Sequence, residues 1–397
     1  MAGYRALLAD PLQRGLLAGS APADFADWLD YVALIAVIVY VWGQGAFELA
    51  LLAVCFTLPY VTAGPFLAAW VDRTSLKQVL VATNIVRAAA TLAMAVAPNI
   101  AVLLALVLIR SLVDSAFNPA RQAALQAITP EPQLVTANAL HQGLGQMAKV
   151  LGPAIGGGLM LVLPVQGIFV VNGVLSALAV VAFAFLQLPA RAAPPQEHPT
   201  IWSQFGAGFA EFLRNRLMFA VLAFAAAANF TFFLYDTQIG LLTHRLGYNA
   251  TALGLTITAS GVGGLIGAAL AGRFGAGRPM VLMAIPALIS GPVTILLAIG
   301  AIGVVAIPFW AFVIAMAVMG GTTVFMMIPY RTVLQRETPP DRIARVVAAG
   351  EAVMIAALMT APFLGSIISS VFGIGAAFLV GGALLTIVGI AGLLSPV

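Results

Sequence analysis

The chain has 397 residues, of which 62% are hydrophobic and 8% charged, against about 25% charged in an ordinary soluble domain. No globular core encloses that much apolar surface, so the composition excludes a soluble fold and places the chain in lipid. The net charge of +4 comes from 18 basic and 14 acidic residues, and the bases are spread over short polar gaps rather than gathered on one surface, which argues against a nucleic-acid partner.

A bilayer core about 30 Å thick needs about 20 apolar residues of helix per crossing. Twelve such runs are predicted, at 15–42, 47–71, 77–97, 100–120, 136–162, 166–188, 217–243, 250–273, 279–300, 304–327, 346–371 and 374–395. The first follows Arg5 and Arg14, is too long for the apolar region of a signal peptide, and is expected to stay as a helix. The gaps on one side hold nearly all the bases, among them Arg73, Lys77, Arg121, Arg191, Arg214, Arg273, Arg331 and Arg342, whereas the other side holds only Arg245. Short loops follow the positive-inside bias, so both termini are expected in the cytoplasm.

Residues 189–200 read PARAAPPQEHPT, a proline-rich stretch that marks a cytoplasmic linker. Trp202, Phe205, Phe209 and Phe212 follow at helical spacing beside Glu211 and Arg214, the pattern of a short amphipathic helix at the membrane surface. The linker, 189–216, separates two predicted six-helix bundles, 1–188 and 217–397. Leu125-Gln126 with Thr129-Pro130 recurs 209 positions later as Leu334-Gln335 with Thr338-Pro339. The same shift carries Gly152-Pro153 and Gly156 onto Ala361-Pro362 and Gly365, so the bundles read as a duplication related by pseudo-two-fold symmetry.

Charges within the spans carry the functional signal. A lone Asp, Lys or Arg at a helix centre costs about 2.5 to 3.5 kcal/mol even on the milder insertion scales. Asp27 and Asp30 lie mid-way along the first span, with Asp24 one turn nearer the cytoplasm; Arg87, Arg110 and Lys149 fall near the middles of the third, fourth and fifth. Arg110 and Asp114, four apart, are spaced to meet along one helix. A carboxylate in apolar surroundings keeps its proton, and a nearby base releases it. A site that exchanges those surroundings would therefore load and unload a proton: Asp27 or Asp30 is the expected proton site, with Arg110 or Lys149 as the partner that drives release. A static salt-bridge network is the alternative. The second bundle is sparser, with Asp236 in the seventh span and Glu351 in the eleventh. Asn229, Phe233, Asp236, Met326 and Glu351 are the candidate cavity residues, within an aromatic run (Phe230, Phe232, Phe233, Tyr235) and a methionine run (Met316, Met319, Met326, Met327) that also suit plain packing.

Several stretches resemble the major facilitator superfamily along essentially the whole chain. Ala68-Ala-Trp-Val-Asp72-Arg73-Thr-Ser-Leu-Lys77 is similar to the family loop G-x-x-x-D-R-x-G-R-K, with Ala68 and Ser75 in place of its glycines. Arg110 stands where the family motif R-x-x-Q-G has its arginine, although Val113 and Asp114 replace the Gln and Gly. Gly152-Pro153-Ala-Ile-Gly156-Gly157 resembles the G-P-x-x-G-G signature of family antiporters. Asp27-Trp28, Asn84-Ile-Val-Arg87, Asn118-Pro-Ala-Arg121 and Leu134-Val-Thr-Ala-Asn138 are similar to the branch of macrolide-efflux and enterobactin-exporter proteins. The resemblance implies two six-helix bundles that alternate access to a central site. It also implies conformational roles for Asp72, Arg73 and Lys77 in the loop and for Gly152, Pro153, Gly156 and Gly157 in the fifth helix.

The favoured function is secondary active export of a small hydrophobic or amphipathic compound against inward proton flow, by a monomer in a bacterial inner membrane whose only other partner is lipid. Translocation of a lipid or lysophospholipid by the same fold is the alternative, and a non-transporting sensor a third. The single cysteine, Cys55, and three scattered histidines form no metal or disulfide site. With no phosphate-cradling glycine loop and no nucleophile–base pair, neither enzymatic activity nor a cofactor is expected.

Overall fold

The computed structural model describes residues 7–189, 209–271, 278–339 and 342–395, and every regular element among them is helical. These residues fall into two compact units, Met1–Trp42 with Val54–Gln196 and Gly43–Ala53 with Glu197–Val397. Trp202 and Phe205 of the expected amphipathic helix, and Arg5, Arg191 and Arg273, lie outside the described residues; residues 209–214 are helical.

The first helix, α1 (Pro11–Ala36), opens on Asp10, whose carboxylate accepts from the Leu12 N–H at 2.8 Å, and Pro11 sits in the first turn, where a missing N–H costs nothing. It runs into a five-residue π turn, Val37–Val41. The second span is two helices, α2 (Ala46–Thr62) and α3 (Gly64–Asp72), interrupted at Ala63 between Pro59 and the proline that begins α3. Then come α4 (Leu76–Met94), α5 (Ile100–Ile128), α6 (Leu134–Leu159) and α7 (Val165–Phe185). In the second unit α8 (Arg216–Phe233) starts at Asn215, whose side chain accepts from the Leu217 and Met218 N–H groups. A 3-10 turn at Asp236–Gln238 separates it from α9 (Ile239–Arg245). The chain ends with α10 (Ala250–Ala271), α11 (Pro279–Ile302), α12 (Phe309–Glu337), α13 (Ile343–Phe372) and α14 (Ile374–Leu394).

Two spans differ in their bounds from the sequence expectation. The spans anticipated at 100–120 and 304–327 are the 29-residue helices α5 and α12. Both helices run on past the apolar stretch, α12 even through Pro329, until Thr129 and Thr338, each followed by proline, turn extended at φ −107° and −111°. Residues 304–308 stay outside α12 because Pro308 is extended and starts the helix only after itself. Shifting α5 by 209 positions reproduces the bounds of α12, and the same shift carries α7 onto α14 and the start of α6 onto the start of α13. Helix neighbours repeat as well: α1 packs on α6 and α4 on α5 and α7, as α8 packs on α13 and α11 on α12 and α14.

Eight of the helical stretches are long and apolar enough to cross a membrane on length and composition alone. Helices α1, α4 and α6 are not among them, and each carries polar residues in its middle. Large apolar side chains such as Leu161, Phe185, Trp310, Phe372 and Leu394 stand exposed, as lipid-facing surface requires. Where apolar side chains meet lipid as readily as each other, helices hold together by close backbone approach. A Cβ built at Gly263 or Gly267 on α10 would strike the carbonyls of Ala317 or Gly321 on α12, and one at Gly320 would strike that of Ser260. In the first unit a Cβ at Gly152 on α6 would lie 2.5 Å from Trp28 Cβ on α1.

Replacing Gly267 by Val should therefore cost about 1–3 kcal/mol through overpacking, seen as a lower melting temperature in detergent. Gly143→Val, at a position with nothing within 4 Å, serves as the control. Equal melting of the two variants would contradict the backbone contact.

Candidate functional site

The first unit buries a cluster of charges. Along α5, Arg110, Asp114, Phe117 and Arg121 follow one another at intervals of four, three and four residues, which keeps them on one face. Along α1, Asp24, Asp27 and Asp30 occupy successive turns, and α4 supplies Arg87. Oδ1 of Asp27 accepts from both Arg87 Nη2 and Arg110 Nη2. The other arm of Arg110 reaches Asp30 Oδ2 at 2.5 Å, and Thr91 Oγ1 lies 3.4 Å from the same oxygen. Arg87 Nε stands 3.0 Å from Asp114 Oδ1 in an ionic contact without hydrogen-bond alignment. Arg87 Nη2 also donates to the Ala23 carbonyl at 3.3 Å. Nearer the end of α5, Arg121 pairs with Asp24 at 2.5 Å and donates to Asn118 Oδ1 at 3.2 Å. The guanidinium carbons of Arg87 and Arg121 lie 4.9 and 5.3 Å from the Phe117 ring centroid, within cation–π range.

Exposure separates the acids. The side chains of Arg87 and Asp30 are fully buried and that of Arg110 nearly so, whereas the Asp27 side chain keeps 43% of its surface accessible. Asp27 is thus both the carboxylate shared by two guanidiniums and the cluster's opening.

Of the residues expected to handle protons, Asp27, Asp30, Arg110 and Asp114 come together, but the expected meeting of Arg110 with Asp114 along α5 gives way to pairs across helices: Asp114 faces Arg87, and Arg110 reaches Asp27 and Asp30. Lys149 is exposed on α6, its ammonium 5.4 Å from the Trp28 ring, and belongs to none of these ion pairs. Three further members join them: Arg87, Asp24 one turn along α1, and Arg121, which hydropathy alone puts in a cytoplasmic gap but which lies inside α5. The signal available for them was the stripe on α5 facing the acid ladder on α1.

In the second unit Asn229 and Met326 line one cavity together with Phe232, Ser290, Thr322 and Thr323. Phe233 packs edge-on against Phe232 at 5.3 Å, Asp236 opens the 3-10 turn after α8, and Glu351 pairs with Arg331 at 3.6 Å on an exposed face. Of the loop residues, Asp72 ends α3 and its side chain lies outside the described residues; Arg73 caps α3 and is exposed, and Lys77 lies in the first turn of α4. Gly152 and Gly156 seat α6 against Trp28 and Leu29 of α1, Gly157 is buried on the same helix, and Pro153 lies within it. Among the described residues no three His, Cys, Asp or Glu side chains are grouped to hold a metal.

Eight described helical stretches long and apolar enough to cross a bilayer, with a cluster of buried ion pairs in the first unit, define a multi-pass membrane protein. The profile of the Major Facilitator Superfamily matches residues 16–293, and the chain belongs to that family. It is 26% identical over 391 residues to the uncharacterized MFS-type transporter YfiS of Bacillus subtilis, covering 94% of this chain and 91% of that protein. It is 23% identical over 369 residues to macrolide efflux protein A of Streptococcus pyogenes, covering 90% and 89%. Among solved structures, a bacterial homologue of the human lysosomal transporter Spinster, inward-facing and occupied, superposes with a TM-score of 0.73 at 15% identity over 97% of each chain. A variant of the nucleoside transporter NupG superposes at 0.75 and 15% identity, over 96% of this chain and 99% of that one. These likenesses establish the fold.

Removing one partner from a buried ion pair typically costs about 3–5 kcal/mol, because the other charge stays behind. Arg87→Leu is accordingly expected to lower the melting temperature sharply, and Arg87→Leu with Asp114→Leu to recover part of the loss. A single variant that melts like the unaltered protein would show that Arg87 carries no such burden.

Proposed function

We propose that the chain is a proton-coupled exporter, an antiporter of small hydrophobic or amphipathic compounds, working by alternating access in the bacterial inner membrane with both termini cytoplasmic. One observation carries the reading. The cluster sets four carboxylates, Asp24, Asp27, Asp30 and Asp114, against three guanidiniums, Arg87, Arg110 and Arg121. A guanidinium stays protonated at any physiological pH, so a proton can enter or leave only on a carboxylate. With all four acids ionised the cluster holds one surplus negative charge, and one proton removes it.

Asp27 is the natural entry point. It is the most accessible of the four acids, and its Oδ1 is shared by Arg87 and Arg110. Its oxygen is matched by both cations in this arrangement. In the proposed cycle a conformational change that lengthens these contacts is the step at which the cluster takes up its proton, and the reverse change is the step at which it gives the proton up. Lys149 lies over the ring of Trp28, the residue after Asp27 in the chain, and stands outside the ion pairs of the cluster. The similarity to macrolide efflux protein A supports outward movement and an amphipathic cargo.

In proteoliposomes, Asp27→Asn is expected to abolish accumulation of a macrolide driven by a pH gradient while preserving its exchange when no gradient is applied. Asp30→Asn is expected to weaken coupling as well, through loss of the Arg110 contact. Full gradient-driven accumulation by both variants would remove the proposal, and transport that persists under an uncoupler would favour a passive route.

A further inference from the structure

The cavity of the second unit lies within one bundle, between α8, α11, α12 and α14. It has about 20 Å³ of room for the centre of a water-sized group, which admits one or two such groups. Its walls are mostly apolar, and no charged side chain lines it. The polar atoms that do line it have a common bias. Thr322 Oγ1 donates to the Val318 and Met319 carbonyls at 2.9 Å, and Thr323 Oγ1 donates to the Met319 carbonyl at 2.8 Å. A hydroxyl has one proton and two lone pairs, so each threonine has spent its proton and kept its acceptor capacity. Asn229 turns its amide nitrogen to the Met354 carbonyl at 3.3 Å. A carbonyl only accepts, so that contact fixes the orientation of the amide and leaves Oδ1 as an acceptor. Ser290 adds one hydroxyl to the wall, and Pro286 has no backbone N–H to offer.

We propose that this cavity is an anchoring subsite for an uncharged hydrogen-bond donor, a hydroxyl on an apolar scaffold, carried by the exported compound. The proposal rests on the export reading above and names the chemistry its cargo presents to the second unit. A donor is called for because the hydroxyls of Thr322 and Thr323 have only lone pairs left to offer. It is uncharged because a buried cation with no carboxylate beside it would pay its desolvation without recompense. The scaffold is apolar because Phe232, Met326 and their neighbours make up the rest of the wall, and the methionine can repack around different outlines. Residues Thr322 and Thr323 thereby set specificity within the second unit.

The test is calorimetric binding to the full chain in nanodiscs with two probes, a hydroxylated macrolide and tetraphenylphosphonium, a lipophilic cation with no donor. Thr322→Val with Thr323→Val keeps side-chain shape and removes the lone pairs. The double variant is expected to bind the macrolide about tenfold more weakly, the scale of one or two neutral hydrogen bonds, and tetraphenylphosphonium unchanged. Unchanged macrolide affinity, or an equal loss for both probes, overturns the subsite. Binding of tetraphenylphosphonium but not of the macrolide by the unaltered protein overturns donor recognition and leaves export standing. Binding of neither probe overturns the export reading together with the subsite that rests on it.

Discussion

Everything in the first unit is arranged around the cost of holding guanidinium groups out of water. Arg87 has no accessible side-chain surface and Arg110 almost none, and such groups persist only where carboxylates and carbonyls replace their hydration. Helix α1 supplies three acids on successive turns, α5 adds a fourth, and Phe117 places an aromatic face beside two of the cations. The glycine contact between α6 and α1 then becomes intelligible: Gly152 lets the backbone of α6 close against Trp28, next to the acid that bridges two arginines.

The two units answer the same problem of cohesion differently. The first ties its helices with ion pairs and with buried polar links such as Asn172 Nδ2 to the Ala26 carbonyl at 2.8 Å and Gln13 Nε2 to Thr129 Oγ1 at 2.7 Å. The second has polar links of its own, such as Asn229 Nδ2 to the Met354 carbonyl at 3.3 Å, but no buried ion pair among the described residues, and it seats backbone closely at Gly263, Gly267, Gly291 and Gly365. One sequence plan, repeated at a fixed shift, therefore supports a half that buries charged side chains and one whose buried polar side chains, among the described residues, are uncharged. Such asymmetry suits a protein in which one half handles ions and the other handles an apolar cargo.

Much of the architecture was legible before any coordinates. Apolar run length and the 209-position repeat located the helices, because lipid demands a fixed length of satisfied backbone. Helix ends were less legible: α5 and α12 run on past the apolar stretch, so hydropathy stopped at 120 and 327 where the helices end only at the Thr-Pro pairs. In the site, Asp27, Asp30 and Arg110 stood out because each is a charge in an apolar run. Arg87 and Arg121 gained their importance only from which helix lies next to which, and side-chain reach across a bundle is not written in spacing along one helix. Lys149 shows the converse: its depth in the sequence matched the acids, but its helix face directs it to Trp28.

The seam between α10 and α12 has a mechanical consequence. With backbone seated directly on backbone at Gly263, Gly267 and Gly320, that pair has no layer of side chains to shear or repack, so it moves as a single stiff plate. Bending within the second unit is then left to elements outside that plate, among them the stretch where a 3-10 turn at Asp236–Gln238 separates α8 from α9.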